Sequence, residues 1–170
     1  MTQRVLILGG YGNFGSFIAK SLSAEPGIKL IIAGRSAEKA QNFAASLNAE
    51  WAAMDIHQNL DQSLAQIRPD IVIHTSGPFQ RQSYDVAETC IRHGCHYIDL
   101  ADAREFVANV GMLDITARAA KVLVVSGASS VPCLTAAVID EYQTQFHALE
   151  SVDYAIATAQ QTNRGGQAGD

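Results

Sequence analysis

Near the start of the chain the sequence reads Val5-Leu6-Ile7-Leu8-Gly9-Gly10-Tyr11-Gly12-Asn13-Phe14-Gly15. The four apolar residues predict a buried strand, and from Gly10 onward the glycines follow the pattern G-x-G-x-x-G. In such a turn the first glycine permits a tight bend, the second lets a pyrophosphate approach the backbone, and the third lets the helix pack closely. Placed between a strand and a helix, the pattern predicts a dinucleotide-binding loop.

The first turn of the following helix is the second part of this predicted site. Backbone amides near Asn13 and Phe14 are expected to face the negative phosphate oxygens, with the positive end of the helix dipole behind them. Together with Tyr11 and the three glycines of the pattern, these residues form the predicted phosphate loop. The alternative is a tight turn without a ligand, and the repeated β/α units of the chain favour binding.

Short apolar runs, often β-branched, recur along the chain. Most are apolar throughout, which is typical of strands buried on both faces of a parallel sheet. Segments with helical spacing lie between them, so right-handed crossovers are expected. We therefore predict an α/β fold, a Rossmann-type doubly wound parallel sheet of about six to seven strands with helices on both faces. The predicted strands are residues 5–8, 30–33, 50–54, 71–74, 97–100 and 122–125, with a further strand at 152–159.

Hydrophobic spacing also predicts which helix faces are buried. Residues at i, i+3 and i+4 lie on one side of a helix, and Gly94 is expected to end the second of the two clearest cases. Another helix is predicted over residues 131–146. The two predicted buried faces consist of Phe14, Phe17, Ile18 and Leu22, and of Tyr84, Ala87, Cys90 and Ile91.

Composition excludes several classes of protein. The 170 residues suit one domain, and 48% hydrophobic with 17% charged residues indicates a globular chain rather than a disordered one. A net charge of −5 argues against a nucleic-acid binder. We expect no membrane segment, and a cytoplasmic location with reduced thiols, because the three cysteines form no C-x-x-C pair. Their spacing to nearby histidines does not suit zinc, so no metal is expected.

The end of the second strand indicates which dinucleotide is bound. NAD-binding domains usually place an acid there, on the ribose hydroxyls, whereas this chain has Ala33-Gly34-Arg35-Ser36. A guanidinium at Arg35 suits a 2′-phosphate, and the Ser36 hydroxyl adds a donor. The alternatives are a solvated arginine and a serine that only caps the next helix. We predict NADP as the cofactor.

Two more strand ends are expected at the same cleft. Asp55 follows the third strand and is a candidate acceptor for the adenine amino group, or else a helix cap. Ser76-Gly77-Pro78 follows the fourth strand, where the backbone is expected to run beside the cofactor. Phe79 comes next, either as a shield for the nicotinamide or as a core residue.

Other catalytic patterns are missing or weak. No tyrosine is followed four residues later by lysine, which excludes the Tyr-x-x-x-Lys pair of short-chain dehydrogenases. Residues 126–130 do not form a G-x-S-x-G elbow. Asp99 and Asp102 are expected at the cleft rim as candidate acids or bases, although a helix cap at Asp102 is the safer interpretation. The catalytic residues stay unknown.

The chain resembles the N-terminal cofactor domain of the saccharopine dehydrogenase/reductase-like oxidoreductases over nearly all of residues 1–130. The combination of G-P-F with a helix and then H-Y-I-D is more selective than the glycine pattern alone. The matching pieces are the loop 9–15, Ala33-Gly34-Arg35-Ser36, Ser76-Gly77-Pro78-Phe79 and the run Val86-Ala87-Glu88-Thr89-Cys90-Ile91-Arg92-His93-Gly94-Cys95-His96-Tyr97-Ile98-Asp99-Leu100.

The resemblance implies an NADP(H)-dependent enzyme that acts on a C–N or C=N bond of an amino-acid-like small molecule. It also implies a separate substrate domain. We therefore expect residues 1–158 to form the NAD(P)-binding domain and the polar, glycine-rich residues 159–170 to lead toward that domain. The chain alone is expected to be inactive, and the full-length protein to be a homodimer. The alternative is a non-catalytic NADP-binding sensor or regulatory protein.

Overall fold

A six-stranded parallel sheet forms the centre of the protein in the computed structural model, which describes residues 2–155 apart from the side chains of Val131 and Pro132. The strand order is β3-β2-β1-β4-β5-β6, and every pair of neighbours is parallel. The strands are β1 (Gln3–Leu8), β2 (Ile28–Gly34), β3 (Glu50–Ala53), β4 (Ile71–His74), β5 (His96–Asp99) and β6 (Val124–Val125).

Within residues 2–155, seven α-helices and a few shorter helical turns connect the strands or follow them. Three 3₁₀ turns cover Phe79–Arg81, Val110–Leu113 and Gln143–Gln145, and a π-helical turn covers Ser130–Leu134. The helices are α1 (Asn13–Leu22), α2 (Ala37–Ser46), α3 (Leu60–Ile67), α4 (Asp85–Arg92), α5 (Arg104–Asn109), α6 (Asp114–Ala120) and α7 (Thr135–Tyr142).

The core lies on both faces of the sheet. Val5 and Ile7 of β1 pack toward α1 and α2, while Leu6 and Leu8 pack toward α3, α4 and α6. These four side chains are at most 2% exposed, because side chains of a strand alternate between faces and helices cover both faces. The doubly wound fold predicted from the sequence is therefore confirmed.

Some predicted element boundaries were wrong. The helix predicted over 131–146 is three consecutive helical segments, and its α part covers only Thr135–Tyr142. Residues 151–155 contain no strand, and the rest of the strand predicted at 152–159 lies outside the described residues. Propensity does not fix such boundaries, which depend on whether a neighbouring strand or core is present to pack against.

The buried face of α1 differs in part from the prediction. Ile18 and Leu22 are partly buried against the core, as predicted. Phe14 and Phe17, however, are 70% and 73% exposed, whereas Gly15 and Ala19 are buried. The helix turns its small residues toward the sheet because the glycine loop lies directly beneath its first turn. The predicted face of α4 is confirmed, since Ala87, Cys90 and Ile91 are buried, with Tyr84 partly buried; Gly94, at φ +69°, follows the end of the helix.

Gly15 is the closest contact between α1 and the loop. A Cβ at this position would overlap the carbonyl oxygen of Gly9 and lie 2.8 Å from the Cα of Gly10. Both neighbours are backbone, so neither yields without moving the turn. We expect Gly15→Ala to lower the free energy of unfolding by about 1–3 kcal/mol, the usual cost of overpacking, measured by urea denaturation.

The matched control is Gly111→Ala, because a Cβ there meets nothing within 4 Å. That substitution should be neutral or slightly stabilising, since alanine restricts the unfolded chain. Equal stability of the two variants would contradict the packing role of Gly15.

Candidate cofactor site and the buried polar cluster beside it

The parallel strands bring several loops to one edge of the sheet. The register pairs Leu8 with His74 and His74 with Asp99, so β1, β4 and β5 end side by side. The chain leaves β1 toward β2 on one side and leaves β4 toward β5 on the other. Ligands of doubly wound sheets bind in the crevice outside the carboxyl ends, at this reversal of direction. The predicted cofactor residues thus follow strands that end at this crevice.

The glycine loop is packed against the loop that follows β4. Gly9 has φ +75°, and a Cβ on it would lie 2.7 Å from the Ser76 Oγ. The Thr75 hydroxyl donates to the carbonyl of Leu8 at 2.7 Å, which ties the ends of β1 and β4 together. Only glycine combines this left-handed conformation with so close an approach. The role of Gly9 is absent from the G-x-G-x-x-G pattern, which starts at Gly10.

The N-terminus of α1 is open for an anion. Gly12 is its N-cap, no side chain caps the helix, and no acidic residue lies in its first turn. The amides of Asn13, Phe14 and Gly15 donate to no acceptor in the part of the chain that the structure describes. Unpaired amides at the positive end of a helix dipole suit a phosphate group. The residues present therefore fit the pyrophosphate of a dinucleotide.

Tyr11 connects the glycine loop to the end of β2. Its hydroxyl oxygen accepts a hydrogen bond from the Ser36 amide at 2.9 Å. Its ring lies over Gly34, where a Cβ would be 2.7 Å from the Tyr11 Cζ. The two predicted phosphate-binding segments are thus fixed relative to each other. Sequence reasoning placed Tyr11 in the site but missed this contact. The one sequence feature that indicates it is the glycine at position 34, which leaves room for the Tyr11 ring.

Arg35 and Ser36 lie side by side where β2 ends. Arg35 is exposed and takes part in none of the ion pairs found among the described residues. Ser36 is the N-cap of α2, and its Oγ accepts from the Lys39 amide at 3.3 Å. The capping alternative for Ser36 is therefore real, and it leaves the hydroxyl proton free to be donated elsewhere.

Asp55 stabilises the turn after β3 instead of capping α3. One carboxylate oxygen accepts from the His57 amide at 3.0 Å, and its own amide donates to the Asn59 Oδ1 at 2.9 Å. The helix starts at Leu60, with Asn59 as the N-cap. The alternative interpretation of Asp55 as a helix cap was therefore wrong, because the turn uses its carboxylate and amide. The other carboxylate oxygen stays available.

Hydrogen bonds from the Gln82 side chain stabilise the loop after β4. The Gln82 side-chain amide donates to the Ser76 carbonyl at 2.7 Å and to the Pro78 carbonyl at 3.2 Å. Gly77 and Pro78 are exposed, as expected for backbone beside a ligand. Phe79 is only 5% exposed and packs with Phe106, with the ring centroids 5.6 Å apart. Of its two interpretations, the core residue is therefore the one observed.

Behind these loops lies a buried polar cluster of His74, Tyr97 and Asp99, each at most 1% exposed. The His74 Nδ1 lies 3.1 Å from the Tyr97 hydroxyl. Burial lowers the pKa of His74 to about 4, although the charge of Asp99 opposes this shift. Burial, together with that same charge, raises the pKa of Tyr97. At neutral pH His74 is therefore uncharged and Tyr97 keeps its proton.

The placement of the two aspartates corrects the sequence interpretation. Asp99 is fully buried and does not lie at the cleft rim. Asp102 is exposed, and its Oδ1 accepts from the Gln80 side chain at 3.4 Å. It caps no helix, since α5 starts at Arg104 and Ala103 is the N-cap. The pairing of β4 with β5 sets these positions, and local sequence does not contain that information.

Two further findings concern residues 2–155. No group of three or more histidine, cysteine or acidic side chains is placed there to hold a metal ion. None of the helices in this range combines the length and apolar character needed to cross a bilayer.

The parallel sheet, the glycine turn and the open helix N-terminus together define a Rossmann-type dinucleotide-binding domain. Residues 5–150 match the family described as the saccharopine dehydrogenase NADP-binding domain. The chain belongs to this family of NADP-binding domains of saccharopine dehydrogenase-like oxidoreductases. The resemblance found in the sequence is therefore confirmed, as is NADP as the cofactor.

Several known proteins that are similar to the chain are longer than it. A trans-acting enoyl reductase of Mycobacterium leprae is 28% identical over 139 residues, which are 75% of this chain and 33% of that protein. Apo saccharopine dehydrogenase (L-Glu forming) of Saccharomyces cerevisiae has a TM-score of 0.64 at 21% identity, covering 84% of this chain and 32% of its own.

A third similar structure is GenD2 from gentamicin A biosynthesis in complex with NAD, with a TM-score of 0.57 at 21% identity. It covers 74% of this chain and 34% of its own. The chain thus spans about a third of the length of each of these proteins. At these identities the two structures establish the fold.

The buried His74 predicts a dependence of stability on pH. In the unfolded chain its pKa is near the ordinary 6.5, whereas burial lowers the folded pKa to about 4. Above pH 6.5 the group is neutral in both states and contributes nothing. As the pH falls from 6.5 to 4, only the unfolded chain gains the proton, so folding loses up to about 3 kcal/mol.

His74→Gln should remove this contribution. Between pH 7 and pH 5 its free energy of unfolding should fall by about 2 kcal/mol less than that of the wild type, measured by urea denaturation. His147→Gln, at an exposed position, serves as the control and should keep the wild-type dependence. Identical pH dependence in the wild type and His74→Gln would show that His74 titrates normally.

Proposed function

We propose that this chain is the part of an oxidoreductase that holds NADP(H), with the 2′-phosphate bound by Arg35 and Ser36. The observation that carries the proposal is the end of β2. There an unpaired guanidinium stands where an acid would mark NAD, and Tyr11 ties this segment to the glycine loop at 2.9 Å. The 2′-phosphate and pyrophosphate positions are thereby joined by a direct contact within the protein.

The strand order indicates how the bound dinucleotide is oriented across the carboxyl ends of the strands. If the pyrophosphate lies at α1 and the 2′-phosphate at the end of β2, the adenosine half lies over β1, β2 and β3. The free oxygen of Asp55, after β3, then suits the adenine amino group. The nicotinamide half must extend the other way, over the ends of β4, β5 and β6. Ser76, Gly77 and Pro78 offer backbone and a hydroxyl on that side.

NADPH, when bound, supplies the hydride. The residues of this chain fix the cofactor and orient it: amides of the α1 N-terminus bind the phosphates, and the loop after β4 borders the ribose. Orientation of this kind contributes to catalysis only if a substrate is held close and water is excluded. Next to that loop, residues 2–155 form an open groove of about 930 Å³ that is lined in part by Gln80, Gln82 and Met112, and none of the predicted cofactor-binding residues lines it.

For the substrate, we propose a small molecule of amino-acid type whose C–N or C=N bond is oxidised or reduced. Its support is the saccharopine dehydrogenase family itself. A second candidate is the reduction of a C=C bond, supported by the relative from M. leprae that is named an enoyl reductase. We also propose that residues 159–170 lead toward a separate substrate domain, and that the full-length protein is a cytoplasmic homodimer. A sensor that binds NADP without hydride transfer is the non-catalytic alternative.

The first test concerns cofactor choice. We expect NADPH to bind more tightly than NADH. Binding is measured by fluorescence energy transfer from Trp51, which lies on β3 and is 42% exposed. Arg35→Ala should weaken NADPH by about 1–3 kcal/mol, the scale for losing a charged hydrogen-bonded partner, and leave NADH nearly unchanged. Lys20→Ala, in the last turn of α1 and away from the crevice, is the matched control. Equal affinities of the wild type for both cofactors would refute the role of Arg35.

The second test concerns the glycine loop. Gly12→Val should abolish binding of NADPH, since its side chain would occupy space required by the pyrophosphate. Within the protein a Cβ at Gly12 comes near only the Gly9 carbonyl oxygen, at 3.1 Å, so the fold should survive, as checked by circular dichroism. Binding within a few-fold of the wild type would mean that the loop is not the site.

The third test concerns catalysis. We expect residues 1–170 to bind NADPH without oxidising it in the presence of imine, amino-acid or enoyl substrates, because Gly77 and Pro78, beside the proposed nicotinamide position, are exposed to water. A longer chain that continues past Asp170 should turn over one of these substrates. Steady-state consumption of NADPH by the 170-residue chain that depends on substrate would overturn this division of labour.

A further inference from the structure

Asp99 accepts more hydrogen bonds with one oxygen than any other side chain near the crevice. The residue is 0% exposed, and its Oδ1 accepts from the amides of Ala101 and Gly127 and from the Ser126 hydroxyl, each at 2.9 Å. Hydrogen bonds to a charged oxygen are strong where water is excluded. Three donors around one carboxylate oxygen therefore fix the positions of the groups that donate to it.

The donors come from two different loops. Ala101 follows β5, whereas Ser126 and Gly127 follow β6. The backbone strengthens the same junction, because the Ala128 amide donates to the Asp99 carbonyl at 2.9 Å. Strand pairing contributes little here, since β6 consists of two residues. The Asp99 carboxylate is therefore the main side-chain link that fixes the loop after β6 to the rest of the sheet.

We propose that Asp99 is a positioning residue for the nicotinamide half of the cofactor, an inference that rests on the proposed function. The loops it joins follow β5 and β6. These strands lie on the side of the crevice away from Arg35 and Ser36, which hold the adenosine half. The Asp99 side chain itself is buried beneath the loops, so it acts through their backbone. Among the described residues, none of the groups that would bind the 2′-phosphate or the pyrophosphate donates a hydrogen bond to it.

The remaining polar atoms of the cluster determine whether Asp99→Asn keeps the loops in place. Asp99 Oδ2 and His74 Nε2 are buried without a hydrogen-bond partner among the described residues. Asn in place of Asp99 keeps one carbonyl oxygen for the three donors and turns an amide toward the unpartnered position. Ala removes the acceptor entirely and leaves two buried amides unpaired. Asp99→Asn should therefore rescue the geometry that Asp99→Ala loses.

The experiment compares two ligands that share the adenosine half. 2′,5′-ADP reaches only the α1 and β2 side of the crevice, whereas NADPH also reaches the nicotinamide side. The quantity measured is the ratio of the dissociation constant of 2′,5′-ADP to that of NADPH, by calorimetry. In Asp99→Ala this ratio should fall at least fivefold while the affinity for 2′,5′-ADP stays within twofold of the wild type. In Asp99→Asn the ratio should stay within twofold.

A second variant decides the matter if Asp99→Ala fails to fold. Ser126→Ala removes one of the three donors and should lower the ratio about threefold. Its control is Ser130→Ala, at an exposed position in the same segment, which should leave the ratio unchanged. Equal weakening of both ligands in a folded variant, or an unchanged ratio in Asp99→Ala and Ser126→Ala, overturns the inference alone. A wild-type chain that binds neither ligand overturns the proposed function as well.

Discussion

The close contact between α1 and the glycine turn is the constraint on which the crevice depends. Gly15 lies against the backbone of Gly9 and Gly10, and this contact sets how near the N-terminus of α1 comes to the end of β1. The same turn packs against the residues that follow β4, because Gly9 has no side chain to displace Ser76. With no side chain between them, the helix, the turn and the neighbouring strand form one directly packed unit. The unpaired amides therefore have a fixed direction before any ligand arrives.

Two junctions extend this unit across the sheet. On the β2 side, Tyr11 joins the glycine turn to Ser36. On the β5 and β6 side, the Asp99 carboxylate gathers donors from two loops. Two apolar clusters hold the helices on the faces of the sheet, and a third small cluster, which includes Phe79 and Ala101, packs the loops after β4 and β5. Polar contacts of defined length add a fixed direction to the positions of these loops.

Much of the fold and of the candidate site follows from the sequence. Runs of β-branched residues with helical segments between them specify a parallel sheet, and the glycine spacing specifies the turn. Other features could not be predicted. Phe14 and Phe17 fit a helical apolar face as well as Gly15 and Ala19 do, and only the approach to the loop decides which side is buried. Asp99 resembles any acid at the end of a strand until β4 and β5 pair.

The sequence by itself determined the class of fold, the glycine turn and NADP as the cofactor, since each depends on the type and spacing of neighbouring residues. The tertiary structure alone decided that Tyr11 holds Ser36, that His74 is buried and uncharged, and that Asp99 joins two loops instead of facing the cleft. These contacts join residues 25 to 28 positions apart or rest on strand register. Local propensity describes only residues that are near one another in sequence, so it cannot predict these contacts. Burial among the paired strands is what shifts the pKa values of His74 and Tyr97.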